Sequence, residues 1–469
     1  MWDLKKYKNN TAIRDEYGNT LTYQELEAET DKIRENMGKR CLVFSLCRNE
    51  IGSIVGYVSF LNHGMVPVLL NSHLEKDLLT NLLDTYHPAF LWVPKDQQGQ
   101  FPDMELVYET WEYCLLKTSY AITYPLHDTL GLLLTTSGST GSPKLVRQSY
   151  DNVRSNAQSI VTYLELDETQ RPITTLPMNY TYGLSIINSH LFVGATLLVT
   201  EKGLMQKEFW QFFKEQGATS FGGVPYTYEM LQRLRFFRME LPTLQYCTQA
   251  GGKLTPELHQ EFAKYANEKG IKFIVMYGQC EATARMGYLP GEKSLEKYGS
   301  MGIAIPGGKF HLIDSENHPI LEPHVTGELV YEGENVTLGY AECGEDLIKG
   351  DERGGILRTG DMAQFDEDGY YYIVGRKKRF LKIYGNRVNL DEIDRMIKAQ
   401  FDNMDCASAG VDDHMYLFIT DETLAAAVKE FVVSKTGLNP AAFQTIVLEQ
   451  IPKNDSGKTL YQELANYYA

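Results

Sequence analysis

The chain has 469 residues, 43% of them hydrophobic and 23% charged, with a formal net charge of −16. That length exceeds one compact core, so two to four globular domains are expected. The acidic balance excludes nucleic acid as the main partner, because a phosphate backbone needs a basic face, but it leaves room for one basic pocket.

In chain order, short apolar runs alternate with helical patterns. CLVFSL (41–46) leads to a helical stretch ending near Leu61, then MVPVLL (65–70), a helix over 75–86 and FLWVP (90–94). This is the rhythm of βαβ units around a mainly parallel sheet. It continues through LGLLL (130–134), ATLLV (195–199), KFIVMYG (272–278) and KFHLID (309–314). Near residue 360 the pattern changes. Glu367–Asp368–Gly369 predicts a hairpin turn between two strands. The charge run GRKKR (375–379) suits a hinge, and a domain boundary is placed near Lys378. Beyond it the pattern predicts a small α+β unit: helix 391–401, strand 415–420, helix 422–435 and strand 445–449.

The seven cysteines, at 41, 47, 114, 247, 280, 343 and 406, form no CxxC pair, so neither a disulfide framework nor a zinc site is signalled. No run approaches the roughly 18 apolar residues of a membrane span. The N-terminal residues lack the apolar stretch of a signal peptide, and the expected location is cytoplasmic.

Four local features carry chemistry. The first is LTTSGSTGSPK (134–144), directly after an apolar run. Thr136, Ser137, Ser139 and Thr140 interleave hydroxyls with Gly138 and Gly141, and Lys144 adds a cation. Glycines let backbone N–H groups approach an anion, so the segment suits phosphates, although it is not a Walker A loop. Taken alone, it reads equally well as a flexible Ser/Gly linker. The second is YGQCEAT (277–283), where Glu281 stands just past a strand end and suits Mg²⁺ beside substrate phosphates. The third is RTGD (358–361), whose Asp361 could accept hydrogen bonds from ribose hydroxyls. The fourth is IPKNDSGKTL (451–460), with Lys458 after Ser456 and Gly457. Each of the last three, by itself, also reads as an ordinary surface loop.

Together and in this order, these features resemble the acyl-adenylating superfamily of acyl-CoA synthetases, peptide-synthetase adenylation domains and beetle luciferases. The likeness covers nearly the whole chain. It adds TYQELEAET (22–30), LPMNYTYGL (176–184), QAGGKL (249–254), GELVYEGENVTLGY (327–340) and GRKKRFLKIYGNRVNLDEID (375–394). The resemblance implies an α/β fold. Residues 1–377 would form a large N-terminal domain of stacked α/β sheets plus a β-barrel-like part, and 378–469 a small mobile α+β domain.

It also implies residue roles. Thr136 to Lys144 would wrap the phosphates of ATP. Tyr277 would stack on adenine beside Gly251, Gly252 and Gly278. Glu281 would bind Mg²⁺, and Asp361 with Arg376 would hold the ribose. Lys458 would reach the substrate carboxylate and the α-phosphate, and Lys378 would be the hinge. Lys382 and Gly385 would face the thiol tunnel. Tyr180, Tyr182, Gly183 and Tyr226 would line the acyl pocket.

The implied reaction is ATP-dependent activation of a small carboxylic acid, then transfer to a thiol, foremost that of coenzyme A. Two alternatives remain: loading the phosphopantetheine arm of a carrier protein, and a non-catalytic nucleotide-binding relative. Oligomeric state is not legible. Three departures from the family pattern stand out. Cys280 replaces the usual Thr, a weaker donor; Leu145 replaces Gly after Lys144; and no Asp stands in LPMNYTYGL to pair with an amino-acid ammonium, which favours a simple acid. A further expectation is a basic cluster of Lys377, Lys378, Arg379 and Lys382 facing the phosphates of coenzyme A or an acidic carrier.

Overall fold

The computed structural model describes residues 1–120, 123–135, 144–384, 386–401, 404–453 and 459–468, apart from the side chains of residues 378, 380 and 387. By compactness the chain divides into two units. One comprises Met1–Phe310 and Tyr331–Leu357, the other His311–Val330 and Arg358–Ala469.

The first unit contains an eight-stranded sheet. Its order is Gly339–Ala341, Leu145–Ser149, Leu130–Thr135, Val66–Asn71, Leu42–Cys47, Phe90–Pro94, Tyr113–Lys117 and Glu105–Thr110. The central strands from Leu130–Thr135 to Phe90–Pro94 run parallel. They are almost wholly buried, which is why they read as continuous apolar runs rather than as alternating ones. The helix Ile51–Asn62 is buried along nearly its whole length. TYQELEAET begins the helix Tyr23–Met37 with a capping box, in which Thr22 Oγ1 accepts from the Glu25 N–H and the Glu25 carboxylate accepts from the Thr22 N–H.

A five-stranded sheet in the same unit positions much of the site. Ser220–Gly223, Tyr246–Gln249 and Lys272–Tyr277 run parallel, followed by the short antiparallel strands Gly287–Tyr288 and Ile303–Ala304. The three parallel strands bring Gly223, Gln249 and Tyr277 to one carboxyl edge, the place where open α/β sheets bind ligands.

In the second unit, strands Ile356–Phe365 and Tyr371–Arg376 form the expected hairpin, with Gly369 at φ +80° in its turn. The C-terminal part packs helices Leu390–Gln400 and Ala425–Thr436 with a sheet of Cys406–Val411, His414–Ile419 and Phe443–Val447.

The basic cluster expected at GRKKR needs correction. Arg379 is only 8% exposed. Its Nε lies 2.8 Å from Asp391 Oδ1, its Nη2 lies 2.6 Å from Asp394 Oδ2, and its guanidinium covers the Tyr461 ring at 3.8 Å. Lys377 Nζ lies 2.9 Å from Glu328 Oε2. A buried guanidinium requires counter-ions, so Arg379 is committed to the interior of its own unit and presents no charge outward.

Candidate functional site

The loop after the strand Lys272–Tyr277 is tightly specified. Gly278 has no room for a side chain, since a Cβ there would overlap the Ala284 carbonyl oxygen. Thr283 and Ala284 both adopt positive φ, +50° and +85°, an unfavourable backbone for residues with a Cβ. Asn335, buried, holds this loop: its Nδ2 donates to the carbonyls of Ala282 (2.7 Å) and Arg285 (3.0 Å). The Asn335 carbonyl accepts from Thr283 Oγ1 at 2.8 Å, and Asn156 Nδ2 donates to the Arg285 carbonyl at 2.8 Å.

Glu281 lies in the 3-10 turn Cys280–Ala282. Its Oε1 accepts from the Tyr340 hydroxyl at 2.7 Å, and its backbone carbonyl accepts from Thr337 N–H and Arg353 Nη1, both at 3.0 Å. The Tyr340 ring has Lys144 Nζ 3.9 Å from its centroid and the Arg353 guanidinium at 4.8 Å. Lys144 Nζ also lies 3.4 Å from Glu342 Oε1. Burial and the Glu281 carboxylate push the Tyr340 hydroxyl up to about 12, so it remains a donor at neutral pH.

Among the described residues no cluster of three or more His, Cys, Asp or Glu could hold a metal. One carboxylate is enough for Mg²⁺, which favours one or two carboxylates plus substrate phosphates, so Glu281 fits that ion. Lys144 and Arg353 supply positive charge beside it, as an anionic substrate requires.

At the neighbouring strand end, Gly251 has φ +85°, and a Cβ there would stand 2.8 Å from the Tyr180 hydroxyl. Gln249 Nε2 donates to the Gly252 carbonyl at 2.8 Å, which fixes the turn. Tyr180 and Tyr182 meet edge to face at 6.3 Å. Tyr182 and Gly183 lie on the helix Thr181–Phe192, and Tyr182 Oη is 2.8 Å from Thr248 Oγ1. Tyr180 thus lies against both Tyr182 and the Gly251 turn. Tyr226 does not join them: it is 58% exposed on the helix Pro225–Arg233, with no ring contact to Tyr180 or Tyr182.

In the second unit, Asp361 and Arg376 face each other across the hairpin register, with Arg376 Nε 3.4 Å from Asp361 Oδ1. Asp361 is buried while Arg376 projects from the strand. Lys382 is exposed on the strand Phe380–Ile383. Thr136 to Gly141, Gly385, Lys458 and the side chain of Lys378 lie outside the described residues.

The family profile described as "AMP-binding enzyme" matches residues 2–341, well over half of the chain. The chain belongs to the AMP-binding enzyme family. Among its relatives, it is 28% identical to an oxalate–CoA ligase of Arabidopsis thaliana, over 73% of this chain and 68% of that protein. It is 28% identical to a 2-succinylbenzoate–CoA ligase of Oceanobacillus iheyensis, over 82% and 80%. The fold matches the o-succinylbenzoate CoA synthetase of Bacillus subtilis, solved with its acyl-adenylate intermediate, at a TM-score of 0.79 and 21% identity over 98% and 97% of the two chains.

Reading the sequence did not single out three residues that lie at or next to the Glu281 loop of this AMP-binding enzyme: Tyr340, Arg353 and Arg285. Tyr340 offers no signal of its own beyond closing the segment GELVYEGENVTLGY (327–340). Arg285 carried a usable signal, since it is the one charge in the stretch ATARMGYLP (282–290).

Proposed function

We propose that this AMP-forming enzyme activates a small carboxylic acid with ATP and passes the acyl group to the thiol of coenzyme A. The observation that carries the reading is the Lys144–Tyr340–Glu281–Arg353 cluster beside the Gly251 and Tyr277 strand ends. There the Glu281 carboxylate, just past the end of a parallel strand, and two cations gather around Tyr340, with Glu342 pairing Lys144. The named relatives are coenzyme A ligases, which supports the same choice of thiol.

The roles follow from charge. An acyl carboxylate attacks the α-phosphorus of ATP, forming a C–O–P linkage as the bond to pyrophosphate breaks. Both reactants are anions, so the site has to supply positive charge where negative charge builds. Lys144 stands at the end of the Ser/Gly loop that takes the outer phosphates. Glu281 is the carboxylate for Mg²⁺, which supplies charge neutralisation on the phosphate oxygens. Tyr277 and the Gly251–Gly252 turn take adenine, with Gly278 keeping the approach open and Cys280 beside the phosphates. Asp361 and Arg376 take the ribose hydroxyls, and Lys458 bridges the carboxylate and the α-phosphate. The thiol then attacks the acyl carbon and AMP leaves. For this step the segment with Lys382 and Gly385 replaces the Lys458 loop, by rotation about Lys378. That hinge sets the functional boundary between 1–377 and 378–469. No helix among the described residues is long and apolar enough to cross a membrane. We place the protein in the cytoplasm.

The test is pyrophosphate release from MgATP with a panel of acids, followed by thioester analysis with coenzyme A or a phosphopantetheinylated carrier protein. Lys458→Ala should lower the release rate by about 10²–10³, the usual cost of one preorganised charge donor. Measurable ATP binding with no release for any acid would favour a non-catalytic relative. Thioester on the carrier protein alone would move the acceptor from free coenzyme A to a carrier.

A further inference from the structure

Three arginines are buried among the described residues: Arg147, Arg285 and Arg379. Arg147 is paired with Glu352, and Arg379 with Asp391 and Asp394. Arg285 is 3% exposed and has no carboxylate partner among the described residues, although the chain carries 61 acidic side chains. Its Nε donates to Ser185 Oγ (2.9 Å), and its Nη1 to Tyr163 Oη (3.0 Å) and Met276 Sδ (3.2 Å). Its guanidinium lies 5.3 Å from the Tyr182 ring centroid. Nη2 donates to none of the described residues. All the partners are neutral, and a buried cation without a counter-ion is costly to keep.

The placement says what the missing counter-ion is. Tyr182 neighbours both the Arg285 guanidinium and the Tyr180 ring, and the Tyr180 hydroxyl borders Gly251. Arg285 also lines a cavity of about 10 Å³, room for one water, bordered by His190, Gly222, Tyr246 and Thr248. His190 is held neutral by burial, with Arg285 adding to the effect, so this wall offers no negative charge. We infer that Arg285 is the acyl-specificity residue and that the acid is a dianion, whose second acid group, a carboxylate or sulfonate, pairs with the buried guanidinium. This rests on the ligase reading above. A guanidinium forks naturally onto such a group. Oxalate and 2-succinylbenzoate, after which two relatives are named, both carry two carboxyl groups.

The experiment compares dicarboxylic acids of increasing length, each beside its monomethyl ester, and sulfoacetate, in pyrophosphate release. It uses wild type, Arg285→Met and Arg285→Lys, with thermal melts to check folding. Calorimetric binding of each diacid without ATP runs in parallel. The expected result is a wild-type preference for a diacid over its half-ester. In Arg285→Met, KM for that acid rises about 10²-fold or more with a much smaller change in kcat, and Arg285→Lys recovers part of the loss. The sulfoacetate arm distinguishes a sulfonate from a carboxylate. Half-esters turned over as well as diacids by wild type would overturn the inference while leaving the ligase reading intact. So would a folded Arg285→Met that loses all acids equally, because Arg285 would then act only on structure. Diacid binding that depends on Arg285 without pyrophosphate release from any acid would keep the site and remove the ligase reading. If Arg285→Met does not fold, Arg285→Lys decides: a KM increase confined to diacids supports the inference, and an unchanged diacid KM overturns it.

Discussion

Replacing Tyr340 with Phe removes one hydroxyl and leaves the ring beside Lys144 and Arg353. The hydroxyl donates to Glu281 Oε1 at 2.7 Å, a charge-assisted bond from a donor that holds its proton to about pH 12. Such a bond contributes about 1.5–3 kcal/mol, or roughly 10- to 150-fold in an equilibrium it controls. With Glu281 as the Mg²⁺ carboxylate, that energy orients the ligand. Losing an orienting partner of a metal ligand typically costs about 10–100-fold in metal affinity. The assay is pyrophosphate release against Mg²⁺ concentration at saturating ATP and acid. Tyr340→Phe should raise the half-saturating Mg²⁺ about 10-fold or more, while the thermal melt moves little. Tyr340→Leu should also slow the reaction at saturating Mg²⁺, since it removes the surface that places Lys144 and Arg353. An unchanged Mg²⁺ midpoint and rate in Tyr340→Phe would refute the assignment of Glu281 and the orienting role of Tyr340 together.

Further outcomes follow from the same geometry. Gly278→Ala forces a Cβ onto the Ala284 carbonyl, so it should displace the Glu281 loop and weaken ATP binding more than Gly252→Ala, where the nearest atom is a Pro225 side-chain carbon at 2.9 Å; calorimetric titration with ATP tests this. Burial holds His190 and His259 neutral down to about 4, against about 6.5 in an unfolded chain. As pH falls below 6.5 the unfolded chain takes up these protons first. The stability from each neutral histidine, about 3 kcal/mol, is therefore present above pH 6.5 and lost as pH falls to 4. Urea unfolding of His190→Gln beside wild type across that window should show a shallower pH dependence in the variant, and identical slopes would contradict the assignment.

Much of the fold was open to reading because its signals are local. FLWVP at 90–94 is a strand with those bounds, and the helix expected over 75–86 runs from Lys76 to Tyr86. Buried parallel strands are nearly continuous apolar runs, and helices announce themselves by their period, so neighbouring residues suffice. The order of the motifs was enough for the family. The charge run GRKKR misled for the complementary reason: composition says that five residues are polar and basic, but not that Arg379 turns inward onto Asp391 and Asp394.

The site divides along the same line. The sequence by itself determined which residues carry charge, which glycines open the backbone, and that Glu281 follows a strand end. Only the tertiary structure placed Tyr340 on Glu281 across 59 residues of chain, and Arg285 against Ser185 across 100. Those pairings depend on how sheets and helices stack. The energy that selects a stacking is spread over the whole core, so no local stretch of sequence encodes which distant side chain meets a given charge.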